Sequence, residues 1–378
     1  MDIHHPSPDE RELALDLIAD AFGNLRARRP AVREAVLADP DYAAATSLVA
    51  TTHDGQVIGH LATKRSAIAL DGEWLEVVRF GSVCASPAHR RQGVGAALVE
   101  AAAALYPEVA AIILNPAADE YVRLFYRSLG FGDARRTIGR QQLRASDVPQ
   151  AEPLLVRAAR PGEAPRLDAL YREHYGQRNG TKRRTLAWWD RRIAVEPLLW
   201  AEMTPRILVA DRAEQALAYA VVTDDDEHRV WELAGQRSAA AALLWHEAGR
   251  LAERFTVATD AEDPLWPVVA ACRPLDTSPE PSVVMVRAQH INALRATLST
   301  IMTRRGAVLD GDEATADVRV GERRLACHWT ELLCLIYDGG VLAERIAAGA
   351  VEVKHGDPTE WQPIFPARSA TRRMTDAF

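Results

Sequence analysis

The stretch "SPAHRRQGVGAAL", Ser86 to Leu98, places two arginines and two glycines directly before a run of small and apolar residues. Gly93 and Gly95 allow the backbone to turn tightly and to approach a ligand without a Cβ atom in the way. The first turn of a helix has N–H groups without intrahelical partners, and Arg90 and Arg91 can bind phosphate oxygens. The pattern predicts a phosphate-binding loop, and a glycine-containing turn with solvated arginines is the alternative.

The neighbours of this loop predict a β-α-β unit. "EWLEVVRFGSVCAS" before the loop is typical of a strand, and "GVGAALVEAAAALY" is typical of a helix. A short buried strand, "VAAIILN", and a second helix, "DEYVRLFYRSL", follow. Strand, Gly-rich turn, helix and strand in this order predict parallel neighbouring strands. The loop lacks the G-K-[ST] of a P-loop and the G-x-G-x-x-G spacing of a dinucleotide-binding fold, so the sequence predicts neither.

Two further sections follow along the chain. The section from about residue 151 repeats the order of strands and helices without the loop motif, and its counterpart "AGQRSAAAA" supplies one glycine, Gly235. We interpret this section as a degenerate copy of the first. The Pro- and Ser-rich stretch "RPLDTSPEPS" marks the next boundary, near Pro279 to Ser282. The remaining residues predict a smaller domain of strands and helices.

The composition is that of an ordinary globular protein. The 378 residues are 48% hydrophobic and 26% charged, with a formal net charge of −7, which disfavours a general nucleic-acid binder. No apolar run is long enough to span a bilayer, and the N-terminus lacks the order of a signal peptide. The cysteines lack C-x-x-C spacing and the histidines lack metal-binding spacing, so we expect a cytoplasmic protein without disulfides or a metal site. The four cysteines are Cys84, Cys272, Cys327 and Cys334.

The loop resembles the acetyl-CoA loop of the GCN5-related N-acetyltransferases (GNAT), whose pattern is Q/R-x-x-G-x-G/A. Arg90-Arg91-Gln92-Gly93-Val94-Gly95-Ala96 contains both glycines, and we interpret Arg91 or Gln92 as the leading residue. The later stretch "LFYRSLGF", Leu124 to Phe131, resembles the second signature of the family. The resemblance implies an acetyl-CoA-dependent N-acetyltransferase that needs no metal.

The resemblance also assigns roles to individual residues. It implies that Val83, Cys84 and Ala85 lie along the pantetheine arm of the cofactor and that residues 90–96 bind it through the loop. A backbone N–H group of the Val83 strand would stabilise the oxyanion, and the Tyr126 hydroxyl would protonate the departing thiolate.

Four side chains near these motifs need separate interpretation. Because Phe125 and Tyr126 are adjacent on a helix, we expect one of them to lie in the core and the other to be free. Asp119 stands seven residues before Tyr126, where many members of the family have Asn, and this departure affects a polar contact with the cofactor. Cys84 has no legible His and Asp partners, so we expect a small buried apolar residue rather than a nucleophile.

The rest of the chain resembles the Eis (enhanced intracellular survival) branch of the family, on stretches such as "WELAGQRSAAAALLWHEAG" and "VMVRAQHINALRA". The resemblance implies an α/β (α+β) fold of two tandem GNAT folds and a smaller α/β domain similar to sterol carrier proteins. The domains would span residues 1–150, 151–280 and 281–378. A homo-oligomer is implied as well, either a trimer or a hexamer built from trimers.

The C-terminus acquires a role from the same branch, in which the terminal carboxylate accepts the proton of the acceptor amine. The chain ends in Phe378. An α-carboxylate has an ordinary pKa of about 3.5, so this one is expected to be ionised at neutral pH. Asp376 is a rival base, and a frayed terminus is the alternative.

The expected acceptors are amines of polycationic small molecules such as aminoglycosides, with protein lysines second. The acidic net charge suits a cationic acceptor. One alternative is the same chemistry on a metabolite or peptide amine. The other is a lipid-binding or scaffold protein with a vestigial acetyltransferase.

Overall fold

The structure, a computed structural model, describes residues 1–22, 46–193, 205–223, 228–250, 253–338 and 342–366. These residues form two compact units. The first unit consists of the described residues within Met1–Ile68, Glu73–Arg135 and Val283–Arg368, and the second of those within Ala69–Gly72 and Arg136–Ser282. The contacts thus group the chain into two units. The division into three domains at 1–150, 151–280 and 281–378 stays a prediction.

The strands are, in chain order, β1 (Asp2–His4), β2 (Ser47–Thr51), β3 (Val57–Leu70), β4 (Glu73–Ala85), β5 (Ala111–Leu114), β6 (Gly132–Arg144), β7 (Leu155–Ala158), β8 (Arg206–Arg212), β9 (Gln215–Thr223), β10 (Arg229–Gly235), β11 (Arg254–Ala258), β12 (Asp276–Ala288), β13 (Val308–Gly311), β14 (Thr315–Val320), β15 (Arg323–His328) and β16 (Val351–His355).

The α-helices are α1 (Pro8–Ala21), α2 (Val94–Ala104), α3 (Glu120–Ser128), α4 (Ala164–Tyr175), α5 (Leu186–Ile193), α6 (Arg237–Arg250), α7 (Trp266–Ala270), α8 (Ile291–Arg304), α9 (Trp329–Asp338) and α10 (Leu342–Ala347). Short 3-10 helices span Pro87–His89, Ala145–Asp147 and Pro358–Trp361.

The first unit contains the predicted β-α-β arrangement. Its larger sheet has the order β1-β2-β3-β4-β5-β12. Strands β4 and β5 are parallel and pair from Val77–Ala111 to Phe80–Leu114, with α2 as the crossover between them. Strand β12 pairs with β5 in the antiparallel direction. The parallel pair that the sequence predicts around the loop is therefore confirmed.

Helix α2 follows β4 because its apolar residues recur on one face. Its buried residues are Val94, Leu98, Val99, Ala102 and Ala103. They pack against sheet residues that include Val78, Phe80 and Ile112. Removing this apolar area from water, at about 25 cal/mol per Å², stabilises the helix on the sheet. The packing also fixes the helix N-terminus after the end of β4, where the loop lies.

The first unit also contains a separate antiparallel sheet of order β13-β14-β15-β16. Ala316 and Val318 on β14 and Leu325 and Cys327 on β15 are buried, and polar residues alternate with them. Helices α8 and α9 contribute further buried apolar residues to this part, and Trp361 and Phe365 after β16 are buried as well. The strands and helices predicted for the last section of the sequence are thus confirmed.

The second unit repeats the topology of the first around β10. Its strands have the order β6-β11-β10-β9-β8-β7. Strands β9 and β10 form an antiparallel hairpin, and β10 and β11 are parallel, with α6 as the crossover. Since β3, β4, α2 and β5 have the same relationship in the first unit, the repeated order predicted from the sequence is confirmed.

The two repeats exchange their final strands. Strand β6 follows α3 along the chain but pairs with β11, whereas β12 follows α7 and pairs with β5. The stretch "RPLDTSPEPS" lies largely within β12 rather than in a loop, so the expected boundary is not a linker. The chain nevertheless passes from the second unit to the first between Ser282 and Val283, within that strand.

Neither a membrane-spanning helix nor a metal-binding cluster occurs among the described residues. No helix among them is long and apolar enough to cross a bilayer. No group of three or more His, Cys, Asp or Glu side chains in this part of the chain is arranged to hold a metal ion.

Candidate active site

Strand β4 continues beyond the end of its pairing with β5, and we call the unpaired β5 side of this extension the opening. Their paired register ends at Phe80 and Leu114, where β5 also ends, whereas β4 continues to Ala85. The N–H and C=O groups of this extension that face the β5 side cannot form strand hydrogen bonds with β5, because β5 has already ended. Buried or half-buried main-chain polar groups need partners, so such an opening favours a ligand that can supply hydrogen bonds.

Val83 and Ala85 are the β4 residues whose main chain faces the opening. The Ser86 N–H donates a hydrogen bond to the Ile58 carbonyl of β3 at 2.8 Å. Because successive residues of a strand direct their main-chain groups to opposite sides, Ala85 and Val83 face away from β3. Both residues are half-buried.

Cys84 lies between these two residues and is buried. Burial raises the pKa of its thiol to about 12, so the thiol is protonated at neutral pH. A protonated thiol is a poor nucleophile. Cys84 is therefore a buried residue of the strand, as the sequence predicts.

The loop between β4 and α2 presents positive charge to solvent. The side chains of Arg90 and Arg91 are exposed. Gly93 has a left-handed backbone conformation, with φ of +85°, which a glycine adopts without a Cβ clash. The Ala97 N–H donates the first helical hydrogen bond to the Gly93 carbonyl at 3.0 Å. The N–H groups of the preceding turn thus lie at a helix N-terminus, where an anion binds favourably.

The leading residue of the Q/R-x-x-G-x-G/A pattern is Arg90, since it lies three residues before Gly93. The interpretation of Arg91 or Gln92 as that residue was wrong. The Gln92 side-chain amide donates a hydrogen bond to the Ala88 carbonyl at 2.9 Å, so it stabilises the loop itself.

Gly95 serves close packing in the first turn of α2. A Cβ atom at this position would lie 3.3 Å from Cζ of Phe125 on α3, closer than side chains normally approach. The second glycine therefore sets the separation of α2 and α3. The neighbouring Val94 is buried in the core, whereas Ala96 is half-buried on α2.

Tyr126 on α3 is buried in the apolar cluster against which Val83 and Ala85 pack. Its ring lies edge-on to those of Phe125 and Phe131, with centroids 4.9 Å and 5.6 Å away. The expectation that one of the two adjacent aromatics is free is wrong. Tyr126 is 6% exposed, and Phe125 is half-buried and packs against the same cluster, because its ring lies beside Gly95 of α2.

The Tyr126 hydroxyl is a protonated donor at neutral pH. Burial, together with the nearby Cys84 thiol, raises its pKa above the ordinary value of 10.0. None of the described residues forms a hydrogen bond with this hydroxyl. The group can therefore donate its proton to a ligand that enters the cluster from the opening.

Asp119 is the N-cap of α3. Its carboxylate accepts a hydrogen bond from the Tyr121 N–H at 2.8 Å, and the side chain is exposed. The residue thus fixes the start of the helix that carries Tyr126. A contact between Asp119 and a cofactor stays a prediction.

Comparison with known proteins agrees with this geometry. Residues 44–132 match the family model described as acetyltransferase (GNAT) domain. The chain therefore contains a GNAT acetyltransferase domain. The family uses an acyl-CoA co-substrate, which the loop, the opening and the helix N-terminus of this acetyltransferase fit. None of the curated proteins matches the sequence significantly.

Solved structures show the same fold over the whole chain. A GCN5-related N-acetyltransferase from Kribbella flavida is 18% identical, with a TM-score of 0.71 and full coverage of both chains. One from Anabaena variabilis is 14% identical, with a TM-score of 0.71 and coverage of 97% and 98%. Eis1 from Mycobacterium abscessus is 15% identical, with a TM-score of 0.66 and full coverage of both chains. The predicted fold class is therefore confirmed.

Two residues that hold the acetyltransferase site were missed by sequence reasoning. The His60 ring on β3 hydrogen bonds through Nδ1 to the Ser82 carbonyl at 3.0 Å. Arg287 on β12 donates to the Glu100 carboxylate at 2.7 Å and to the Leu129 carbonyl at 3.1 Å. No local motif marks either residue. A polar His within the apolar run "VIGHLA" is the one signal that could have found His60.

Arg287 links the two helices of the site. Glu100 lies on α2, and Leu129 is the residue at which α3 ends. The Arg287 guanidinium also lies over the Phe131 ring, 5.2 Å from its centroid, and that ring packs on Tyr126. Since β12 lies far along the chain, sequence spacing gives no indication of this contact.

The predicted general base lies outside the described residues. Phe378 and its rival Asp376 both belong to residues 367–378, of which the structure describes nothing. Their roles stay predictions.

The second unit has a corresponding opening that the protein itself fills. Strands β10 and β11 pair at Val230–Val257, and β10 continues to Gly235. The Tyr175 hydroxyl donates to the Leu233 carbonyl and accepts a hydrogen bond from the Leu233 N–H at 3.3 Å. These are main-chain groups on the β11 side of β10, because the Gln236 N–H bonds to Leu217 of β9. The Tyr175 hydroxyl therefore occupies the hydrogen-bonding groups of Leu233 that a ligand would otherwise contact.

Proposed function

We propose that this acetyltransferase transfers the acetyl group of acetyl-CoA to a primary amine of a polycationic small molecule, with aminoglycosides first and lysine side chains second. The observation that carries the proposal is the opening between β4 and β5, which Val83 and Ala85 face and beside which Tyr126 is buried. The opening has the donors that an acyl-CoA needs and a proton donor for its sulfur.

Three features of the chain would hold the co-substrate. Arg90 and Arg91 provide exposed positive charge for the diphosphate, and the N–H groups at the start of α2 add hydrogen bonds. The main chain of Val83 and Ala85 would pair with the pantetheine arm as a neighbouring strand would. Arg90 and Arg91 lie in a solvent-exposed loop, so their contribution weakens at high salt.

Val83, Tyr126 and Phe378 each assist one step of acetyl transfer. Acetyl-CoA supplies an acetyl group activated as a thioester. The Val83 N–H stabilises negative charge on the acetyl oxygen as the amine attacks. The Tyr126 hydroxyl donates its proton to the departing sulfur, since burial keeps that hydroxyl protonated. The Phe378 carboxylate accepts the proton of the amine, directly or through one water.

The acceptor class rests on two supports. The net charge of −7 favours cationic partners over acidic ones. The full-length likeness of the fold to Eis1 supports membership of the Eis branch. The homo-oligomer and the sterol-carrier-like third domain are what the resemblance of the sequence to that branch implies. A cytoplasmic location suits an enzyme whose four cysteines are all free and buried.

The first experiment is CoA release by the purified protein with a panel of acceptors: aminoglycosides, lysine, polyamines and lysine-containing peptides. We expect turnover with aminoglycosides that falls at least about a hundredfold when Phe378 is deleted, as for loss of a general base. Turnover confined to metabolite amines or peptides would keep the chemistry and contradict the acceptor. Absence of both turnover and CoA binding would contradict the enzyme and favour the binding-protein alternative.

A matched pair of arginines tests the loop. Arg90→Ala is expected to weaken CoA binding about tenfold, as for one charge-assisted hydrogen bond. Arg237→Ala is the control, because Arg237 is exposed at the start of α6, the corresponding position of the second unit. Equal loss in both variants would show a general charge effect and contradict the assignment of the loop.

A further inference from the structure

Ser82 has a strained backbone at a decisive place in β4. Its φ is +49°, in the left-handed region that residues with a Cβ atom seldom adopt. The residue lies between the part of β4 that pairs with β5, which ends at Phe80, and the part that faces the opening, Val83 to Ala85. Such strain persists only where the surroundings hold it, and it occurs frequently at functional sites.

The group that holds Ser82 is the imidazole of His60 on β3. The Nδ1 atom lies 3.0 Å from the Ser82 carbonyl oxygen, and both residues are buried. A carbonyl oxygen can only accept a hydrogen bond, so Nδ1 carries the proton. Burial lowers the pKa of His60 to about 4, which leaves the ring neutral at neutral pH, and the hydrogen bond to the carbonyl fixes this tautomer.

The conformation of Ser82 decides where the next residues point. A single left-handed residue in a strand changes which side the following main-chain groups face, as in a β-bulge. After it, the Ser86 N–H bonds to β3 and the main chain of Val83 and Ala85 faces the opening. A regular strand through Ser82 would turn the Val83 N–H towards β3, away from the co-substrate.

We propose that His60 is a positioning residue for acyl transfer: its Nδ1–H holds the Ser82 carbonyl and thereby directs the main chain of Val83 and Ala85 into the opening between β4 and β5. The inference rests on the proposed function, because it assigns those main-chain groups to the acetyl-CoA side of the reaction. It adds a residue on β3, outside both sequence motifs of the family.

Two substitutions of His60 separate hydrogen bonding from volume. His60→Asn retains an N–H donor close to the position of Nδ1 but leaves a smaller side chain. His60→Leu fills a similar volume without any donor. If the hydrogen bond matters, the Asn variant keeps CoA affinity within about threefold, whereas the Leu variant loses about tenfold or more, the scale of one buried hydrogen bond. If packing matters, this order is reversed.

A rescue by Ser82→Gly identifies the mechanism. Glycine adopts a positive φ without the Cβ penalty, so the strand conformation needs less support. We expect His60→Leu/Ser82→Gly to regain most of the CoA affinity and kcat/KM lost in His60→Leu, and Ser82→Gly alone to resemble the wild type. Loss of core packing at position 60 would not be repaired by removing a side chain at position 82.

The measurements are CoA affinity by calorimetry and kcat/KM for acetyl-CoA with the best amine acceptor, with thermal unfolding to verify that each variant folds. Wild-type affinity in His60→Leu would overturn the inference, as would a Leu variant that binds better than the Asn variant. A double variant no better than His60→Leu would also overturn it. If the wild type binds CoA but acetylates no amine, the proposed function fails while the calorimetric comparison still decides the role of His60.

Discussion

The Tyr175 hydroxyl donates a hydrogen bond to the Leu233 carbonyl and accepts one from the N–H of the same residue. It thereby satisfies both main-chain groups of Leu233 on the side where β10 separates from β11. In the first unit the corresponding main-chain groups, those of Val83 and Ala85, face an opening instead. The two repeats share a topology, but one of them has this place filled by an internal side chain.

The filled opening predicts one CoA molecule bound per chain. Calorimetric titration of the wild type is expected to give a stoichiometry of about one, because Tyr175 closes the second place. Tyr175→Phe would leave both polar groups of Leu233 unsatisfied and lower the free energy of unfolding by about 1–3 kcal/mol, with CoA affinity unchanged. Two bound molecules per wild-type chain would contradict this account.

The acid role of Tyr126 predicts a selective loss of turnover. Tyr126→Phe is expected to lower kcat about a hundredfold and to change KM for acetyl-CoA little, because the lost proton transfer occurs during the reaction. The raised pKa of the hydroxyl also predicts no loss of rate from its ionisation between pH 7 and about 10. A wild-type rate that falls within this range, and no longer falls in Tyr126→Phe, would show an ordinary or lowered pKa instead.

Arg287 is expected to act through Tyr126, because it joins Glu100 on α2 to the end of α3 at Leu129. Arg287→Ala would lower kcat about tenfold in the wild type, the scale of a lost charge-assisted hydrogen bond. In the Tyr126→Phe background the same change is expected to have little further effect. Equal losses in both backgrounds would assign Arg287 to general stability.

The buried ion pair of the second unit predicts a large effect on stability. Arg184 forms two hydrogen bonds with Glu232, at 2.8 Å and 2.7 Å, and the Tyr219 hydroxyl donates to the same carboxylate. Glu232→Gln would leave the Arg184 charge poorly compensated and cost about 3 kcal/mol of unfolding free energy in denaturant titrations. The matched control is Glu152→Gln, whose exposed pair with Arg212 is expected to contribute less than about 1 kcal/mol.

His60 predicts a pH dependence of stability. Its pKa falls from 6.5 to about 4 on burial, so the unfolded chain binds a proton in this range that the folded protein does not. The neutral His60 therefore contributes fully to the free energy of unfolding above pH 6.5. As the pH falls from 6.5 towards 4, this free energy decreases by up to about 3 kcal/mol. Denaturant titrations at pH 4 and pH 7 are expected to show this loss in the wild type and a smaller one in His60→Leu. An equal loss in both proteins would assign the pH dependence to other groups.

Local patterns predicted much of the fold and part of the site. The glycines of the loop, the helical repeat of apolar residues in α2 and the turn residues between strands each act within a few residues. The repeated order of elements could be predicted for the same reason. The packing of both Phe125 and Tyr126 against one apolar cluster could not, because the position of the Phe125 ring depends on its contact with Gly95 of α2.

The sequence by itself determined the glycine-containing turn before α2, the β-α-β unit around it and the repeat of that unit, since backbone conformation and amphipathic spacing are properties of short segments. Tertiary structure alone decided which strand completes each sheet, how His60 holds Ser82, how Arg287 braces α3 and why Tyr175 fills the second opening. Each of those contacts joins residues from different elements, most of them far apart along the chain. Their energy depends on burial and hydrogen bonding that exist only once the sheets have formed.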